Sequence, residues 1–189
     1  MSDEAYWIEQ SIKGDHQAFE RLVFAYEQRL MRFLRARSSR IELVDDAFQE
    51  TFINAFRYIK NYDNRYAFST WLFNIAVNAL NHQYRKENKH SINAEETDVE
   101  RCLDEVEGSD MSIDQQLESA NVWRIADQIL PQKQVHLLWL HYVEGYIARE
   151  IAVILECSIP WVKINLIRSK SKLRKFLESQ QANHLDWVV

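Results

Sequence analysis

Asn74, Asn78, Asn81 and Arg85 recur at steps of three and four residues, with Trp71 one turn ahead of them and Lys86 just beyond. At 100° per residue these positions share one face of a helix. Asparagine both donates and accepts at a base edge, arginine pairs with phosphate or guanine, and an indole offers a face on which an unstacked base can lie. Together they suit single-stranded DNA; the plainer reading is a polar helix face with Trp71 in the core. Nearer the C-terminus, Trp161, Ile164, Arg168, Lys172 and Lys175 project from one side of a helical register, with Asn165 at its edge and Lys163, Lys170 and Arg174 flanking. This is the make-up of a helix that enters a groove of duplex DNA, or of a charged, solvated helix. A third set, Asp46, Gln49, Glu50, Ile53, Asn54 and Arg57, rings one apolar side chain with polar ones. Such an arrangement is either an interface anchor or a solvated face with a stray isoleucine.

The remaining titratable residues suggest no bond-making chemistry. The six histidines, at 16, 82, 90, 136, 141 and 184, are scattered singly, and Cys102 and Cys157 have no C-x-x-C or histidine partner at ligand spacing. No metal site, cofactor, catalytic residue or disulfide framework is expected, which suits a reducing cytoplasm. No apolar run approaches the roughly 20 residues that span a bilayer, and the acidic, amphipathic N-terminus does not resemble an export signal.

The elements that must position these sets are helices. In 189 residues there are only three glycines and two prolines, and no Asn-Gly or Asp-Gly pair joins alternating runs, so hairpins have almost no local encoding. With 47% hydrophobic and 12% aromatic residues the chain can build real cores. Phe19, Leu22, Val23, Tyr26, Leu30, Phe33 and Leu34 form an amphipathic stripe. A following helix, 42–59, puts Val44, Phe48, Thr51, Phe52, Ala55, Phe56 and Ile59 on one arc, and its Phe48, Phe52, Phe56 ladder is expected to be buried. The helix carrying the asparagine stripe, 66–86, has two apolar arcs: Phe68, Leu72, Ile75 and Ala79 on one, and Phe73, Val77, Leu80 and Tyr84 on the other. Two neighbours should therefore grip it.

Toward the C-terminus, Pro131 opens a helix running through Val135, Leu138, Trp139 and Tyr142 until Glu144 and Gly145 stop it. A short helix, 147–155, follows. The turn Glu156-Cys157-Ser158 then leads into a third helix, with Ser158 placed to cap it, Pro160 in its first turn, and Ile159, Val162, Leu166 and Leu173 expected to face inward. This is helix-turn-helix spacing, in which the N-terminal half of the last helix enters the major groove while flanking cations bind phosphates.

The formal net charge of −5 is unevenly spread. From Glu87 to Glu118 eleven acids face only Lys89 and Arg101, leaving −9. Residues 1–86 carry twelve basic and eleven acidic side chains, and 119–189 carry nine and six, so both flanking blocks are positive. The acidic stretch, about 87–114, has the composition of a solvated tether between two domains. It is either a linker kept soluble by charge or an acidic strand for a basic channel on a large partner. The low positive charge of each block predicts weak, salt-sensitive binding to free DNA.

The stretch Asp45-Asp46-Ala47-Phe48-Gln49-Glu50-Thr51-Phe52, followed by Phe68-Ser69-Thr70-Trp71-Leu72-Phe73-Asn74-Ile75-Ala76-Val77-Asn78, resembles region 2 of extracytoplasmic-function sigma factors. Leu130-Pro131-Gln132, Tyr142-Val143-Glu144-Gly145, Glu150-Ile151-Ala152 and Pro160-Trp161-Val162-Lys163 are similar to region 4 of the same group. The likeness covers residues 12–86 and 118–177. It implies an all-α protein of two small helical domains: 1–86 as region 2, 87–117 as an acidic flexible linker, 118–178 as a region 4 helix-turn-helix, and 179–189 as a tail of unassigned role.

The resemblance further implies a DNA-binding, non-enzymatic transcription factor of the cytoplasm whose partners are core RNA polymerase, promoter DNA and an anti-sigma factor. Asp45, Asp46, Gln49, Ile53 and Arg57 would meet the coiled coil of the largest polymerase subunit. Trp71, Asn74, Asn78, Asn81, Arg85 and Lys86 would engage the minus-ten element with one non-template base flipped out. Ser158, Trp161, Lys163, Ile164, Asn165, Arg168 and Lys172 would serve the minus-thirty-five element. The chain departs from the family pattern at Trp161, Ile164 and Asn165, where small or basic residues are usual, and at Glu156, where the turn glycine is usual. Trp161 and Ile164 would touch thymine methyls or an anti-sigma partner. The competing classes are a helix-turn-helix regulator that binds duplex DNA without polymerase, which has no need of the asparagine stripe, and a helical adaptor, which leaves the basic helix unexplained.

Overall fold

The computed structural model describes residues 3–38, 40–88 and 120–185, and every regular element among them is helical. Most of the acidic segment, with Cys102, and residues 186–189 lie outside the described residues. The chain divides into two compact units, Met1–Asn93 and Ala94–Val189.

The first unit contains α1 (Asp3–Ile12), α2 (His16–Arg35), α3 (Ile41–Tyr58), a 3-10 turn (Ile59–Asn61) and α4 (Phe68–Asn88). Gly14, at φ +98°, makes the turn between α1 and α2 in the left-handed region that glycine enters without strain. Asp15 then caps α2, its carboxylate accepting from the backbone N–H groups of Gln17 at 2.8 Å and Ala18 at 3.2 Å. The stripe of α2 is inside, with Leu22, Leu30, Phe33 and Leu34 at 1% exposure or less. One end of the core joins Phe19, Leu22, Ala55, Ile59, Phe68 and Leu72. At the other, Phe33 meets Phe73 edge to face at 4.9 Å.

Arg37 is buried at 1% exposure with its guanidinium 3.7 Å from the Phe33 ring centroid, where it donates to the Phe33 carbonyl. The Tyr84 hydroxyl donates to the Arg37 carbonyl at 2.6 Å, fastening the end of α2 to α4.

The expected burial of the phenylalanine ladder on α3 is corrected by the structure. Phe48 and Phe52 are half-buried and Phe56 is 39% exposed, whereas Ala47, Thr51 and Ala55 are fully buried. These small side chains let α3 lie close against α4, its most extensive neighbour. The ladder is thereby turned to the seam with α2, where Phe56 stacks on His16 and Phe19 at 5.0 and 5.1 Å.

The second unit contains α5 (Ala120–Ile129), α6 (Gln132–Tyr142), α7 (Ala148–Ile154) and α8 (Ile159–Leu185). Val135, Leu137, Leu138 and Leu140 of α6 are fully buried, and Trp139 packs edge to face on Trp123 of α5 at 4.8 Å. Gly145 ends α6 at φ +73°, and the Glu150 carboxylate reaches back to the Ile147 N–H at 3.0 Å to start α7. The expectation for α8 holds for Val162 and Leu173, which are buried; Leu166 is half-buried, and Ile159, in the exposed first turn, is 41% exposed rather than inward.

Glu156, between α7 and α8, sits at φ +50°. A side chain there costs about 1–2 kcal/mol relative to glycine, and glycine gives back about 0.4–1 kcal/mol through the unfolded chain. Glu156→Gly is therefore expected to raise stability by about 0.5–1 kcal/mol, measurable as a higher urea midpoint; a lower midpoint would contradict the strain.

Candidate nucleic-acid and protein interfaces

On α3 the structure gathers Asp45, Asp46, Gln49, Ile53 and Arg57 on one exposed face, with Ile53 at 55% exposure. Ile53 is not isolated: with Phe52, Phe56 and Arg57 it lines a shallow recess. A second recess on the α2–α3 seam is lined by Glu27, Gln28, Met31, Arg32, Arg35 and Phe48. In the apolar part of this surface, Phe48 and Phe56 were missed because the ladder was assigned to the core, and Met31 was given no role.

Glu50 leaves the outer arc and reaches α4 instead. Its carboxylate accepts from the Gln83 amide at 2.6 Å and lies 3.0 Å from the His82 ring nitrogen Nδ1. The helix with the protein-facing set is thus tied side chain to side chain to the helix with the asparagine stripe.

On α4, Asn78, Arg85 and Lys86 are exposed while Trp71, Asn74 and Asn81 are half-buried. The periodic stripe is real as a surface, with Asn74 and Asn81 on its more sheltered side and Asn78 on its open one. Trp71 combines both readings offered by the sequence: it packs 5.5 Å from the rings of Tyr62 and Phe68 yet keeps part of its indole accessible.

Tyr62 belongs to the 62–67 connection, which sequence reasoning passed over although its run Tyr62-Asp63-Asn64-Arg65-Tyr66 mixes aromatic, amide and cationic groups. Its hydroxyl donates to the Tyr66 carbonyl at 2.8 Å. Burial, with the carboxylates of Glu4 and Asp63, holds its pKa above the ordinary phenol value, so it stays neutral. Asp63 accepts from the Arg65 backbone N–H at 3.0 Å and pairs with its guanidinium, and that backbone bond first, the guanidinium second, holds its carboxyl below the usual range. The connection therefore presents Arg65, 79% exposed in its side chain, from a turn closed by its own polar groups.

In the second unit α7 and α8 form the expected helix-turn-helix, with the Ser158 hydroxyl accepting from the Trp161 N–H at 3.2 Å as a cap. Ser158, Lys163, Ile164, Arg168 and Lys172 are exposed. Trp161 is half-buried, with the Lys133 ammonium 5.0 Å from its ring centroid. Burial pushes the Cys157 thiol up despite Lys133, so it remains protonated in the turn.

Asn165 is a correction: at 8% exposure it does not line the face where its sequence register put it. Its carbonyl oxygen accepts from the Gln134 amide at 3.0 Å and its NH₂ donates to the Trp161 carbonyl at 2.9 Å, while Ser169 donates to the Gln134 oxygen at 3.1 Å. This polar bridge fixes the roll of α8 on α6. Asn165→Leu would leave half-buried Gln134 without its acceptor, a loss of about 1 kcal/mol. A thermal melt of the full chain unchanged by the substitution would show that the bridge contributes nothing.

Among the described residues, no group of three His, Cys, Asp or Glu side chains could hold a metal ion, and no helix is long and apolar enough to cross a membrane.

Comparison with known proteins finds likenesses over most of the length. Residues 22–90 match the family model for Sigma-70 region 2. The ECF RNA polymerase sigma factor SigW of Bacillus subtilis is 29% identical over 178 residues, covering 90% of this chain and 94% of the relative. RNA polymerase sigma-H factor of Pseudomonas aeruginosa is 27% identical over 178 residues, at 90% and 92% coverage. Among solved structures, CnrH in complex with the cytosolic domain of CnrY is similar at TM-score 0.68 and 21% identity over 94% of this chain and 99% of that one. The sigma factor RpoE in complex with the anti-sigma factor NepR from Bartonella quintana is similar at TM-score 0.63 and 20% identity over 85% and 96%. Those two likenesses concern the fold, the same helical architecture found here. A region 2 match on residues 22–90 and curated relatives aligned over nine-tenths of the length make this chain similar to the extracytoplasmic-function sigma factors of the sigma-70 family.

Proposed function

We propose that this chain makes core RNA polymerase promoter-specific, with residues 1–86 holding polymerase and the minus-ten element and residues 118–178 holding the minus-thirty-five element. Two adjoining helices, bridged by Glu50 to His82 and Gln83, carry the reading, because one bears a polar face around exposed Ile53 and the next bears an amide and cation stripe beside Trp71. A plain duplex-binding regulator has use for α8 alone.

Asp45, Asp46, Gln49, Ile53 and Arg57 dock on polymerase. Trp71 supplies a stacking face for an unpaired base, Asn74, Asn78 and Asn81 bond to base edges, and Arg85 and Lys86 neutralise phosphate. Removing a base from the duplex costs a few kcal/mol, which stacking and hydrogen bonds must offset, so melting and recognition become one event. Ser158, Trp161, Lys163, Ile164, Arg168 and Lys172 face the upstream duplex while Asn165 acts from inside as a positioning residue. The chain contributes binding and the polymerase the chemistry, in the cytoplasm, under control of an anti-sigma partner that covers one of these faces.

The test is open-complex formation by core polymerase loaded with this chain. Trp71→Ala is expected to keep polymerase binding and lose about 10- to 100-fold in open complexes, the weight of one stacking contact of about 1–3 kcal/mol. Permanganate reactivity of unpaired thymines reads the result; undiminished reactivity would remove Trp71 from the mechanism.

A further inference from the structure

The face of α8 that the Gln134–Asn165–Ser169 bridge turns to solvent carries two isoleucines, not one. Ile164 is 41% exposed and Ile167 is 49% exposed. Three residues apart, they stand on the same side of the helix. Around them Lys163, Arg168 and Lys172 are exposed. An apolar pair with a cationic rim on the exposed face of a helix-turn-helix's last helix fits one ligand chemistry closely: phosphates at the margins and an apolar base substituent at the centre. In the major groove the only such substituent is the thymine C5-methyl. The helical rise between the two side chains is about 4.5 Å, near the base-pair step of about 3.4 Å, so one isoleucine can lie over each of two neighbouring base pairs.

We propose that Ile164 and Ile167 are specificity determinants that read the methyl groups of two adjacent or next-adjacent thymines in the upstream promoter element. The proposal rests on the sigma factor reading above. It makes the upstream element of this chain rich in A·T pairs at the centre of the α8 footprint, because an isoleucine pair has no hydrogen bond to offer guanine or cytosine. The roll set by Asn165 matters here: a turn of α8 by one residue position would carry both isoleucines away from the groove and bring polar neighbours in.

Core polymerase loaded with the full chain would be used to select bound promoters from a random duplex library. Each upstream thymine would then be replaced singly by deoxyuridine, which removes the methyl group and leaves the pairing edge unchanged. Two nearby positions are expected at which deoxyuridine weakens binding about fourfold, the weight of one buried methyl-sized group. Ile164→Ala should abolish the penalty at one position and Ile167→Ala at the other, whereas Lys163→Ala should weaken thymine and deoxyuridine promoters alike.

Deoxyuridine without effect at every position, or penalties that persist in the double alanine variant, would overturn the methyl reading while leaving the sigma reading intact. A selection that recovers no promoter dependent on the loaded polymerase would remove both. The substituted positions are exposed helix surface, so circular dichroism of the variants should match that of the parent chain and loss of fold will not mimic the result.

Discussion

An Ile53→Asp variant is expected to elute free of core RNA polymerase under conditions in which the parent chain co-elutes. Ile53 projects from α3 beside Phe52, Phe56 and Arg57, with Asp46 and Gln49 on the same exposed arc. In the free chain an aspartate there stays solvated, so folding should be untouched. In the complex it would sit desolvated beside Phe52 and Phe56, where Arg57, itself proposed to engage polymerase, offsets only part of its charge. An uncompensated buried charge costs about 3–5 kcal/mol, enough to weaken the complex by roughly 100-fold or more. Gln49→Ala, which only removes a polar contact, should weaken it by about tenfold or less. Equal retention of the two variants with the parent would take the α3 face out of the polymerase interface.

The second large effect concerns the core that holds both helices of the first unit. Phe73→Ala would empty a site at 0% exposure, where the ring meets Phe33 edge to face at 4.9 Å and the Arg29 guanidinium lies 5.4 Å from its centroid. Truncating a buried phenylalanine costs about 3–5 kcal/mol, a large part of the 5–15 kcal/mol that ordinarily holds a domain. The expected fall in melting temperature is at least about 12 °C for a unit of this size. Because α4 carries the asparagine stripe, open-complex formation should fall with it at growth temperature. A fall of less than about 4 °C would mean that the site collapses around the cavity.

The punctuation of the chain was the easiest part to read from sequence. Pro131, Gly145 and Ser158 act locally, through a fixed φ, a left-handed turn and a side-chain cap, and each stands where expected. The outward sets on α3 and α4 were legible because 3.6-residue periodicity tells which positions share a face. Periodicity does not tell which face a neighbouring helix will choose. On α3 the reading put Thr51 and Ala55 on the same arc as the three phenylalanines, yet the close approach of α4 centres on those small residues and Ala47 and leaves the aromatics at the seam.

Asn165 was misplaced for a related reason, since its partner Gln134 lies 31 positions away in sequence and nothing local announces the bond. Ile167 was given no place by the sequence, because its exposure depends on the same roll of the helix. The two ten-residue helices α1 and α5 were not foreseen as elements, and α5 contributes buried Val122, Trp123 and Ala126 to the second unit.

Transcription itself tests the central claim most directly. Core RNA polymerase with and without this chain would be given a library of promoter fragments and scored for discrete run-off products. The account predicts products with defined start sites only when the chain is present, lost in the Ile53→Asp variant and reduced in Trp71→Ala. No stimulation of polymerase, together with tight, sequence-selective binding of the chain alone to duplex DNA, would contradict it and make the protein a regulator that acts without polymerase.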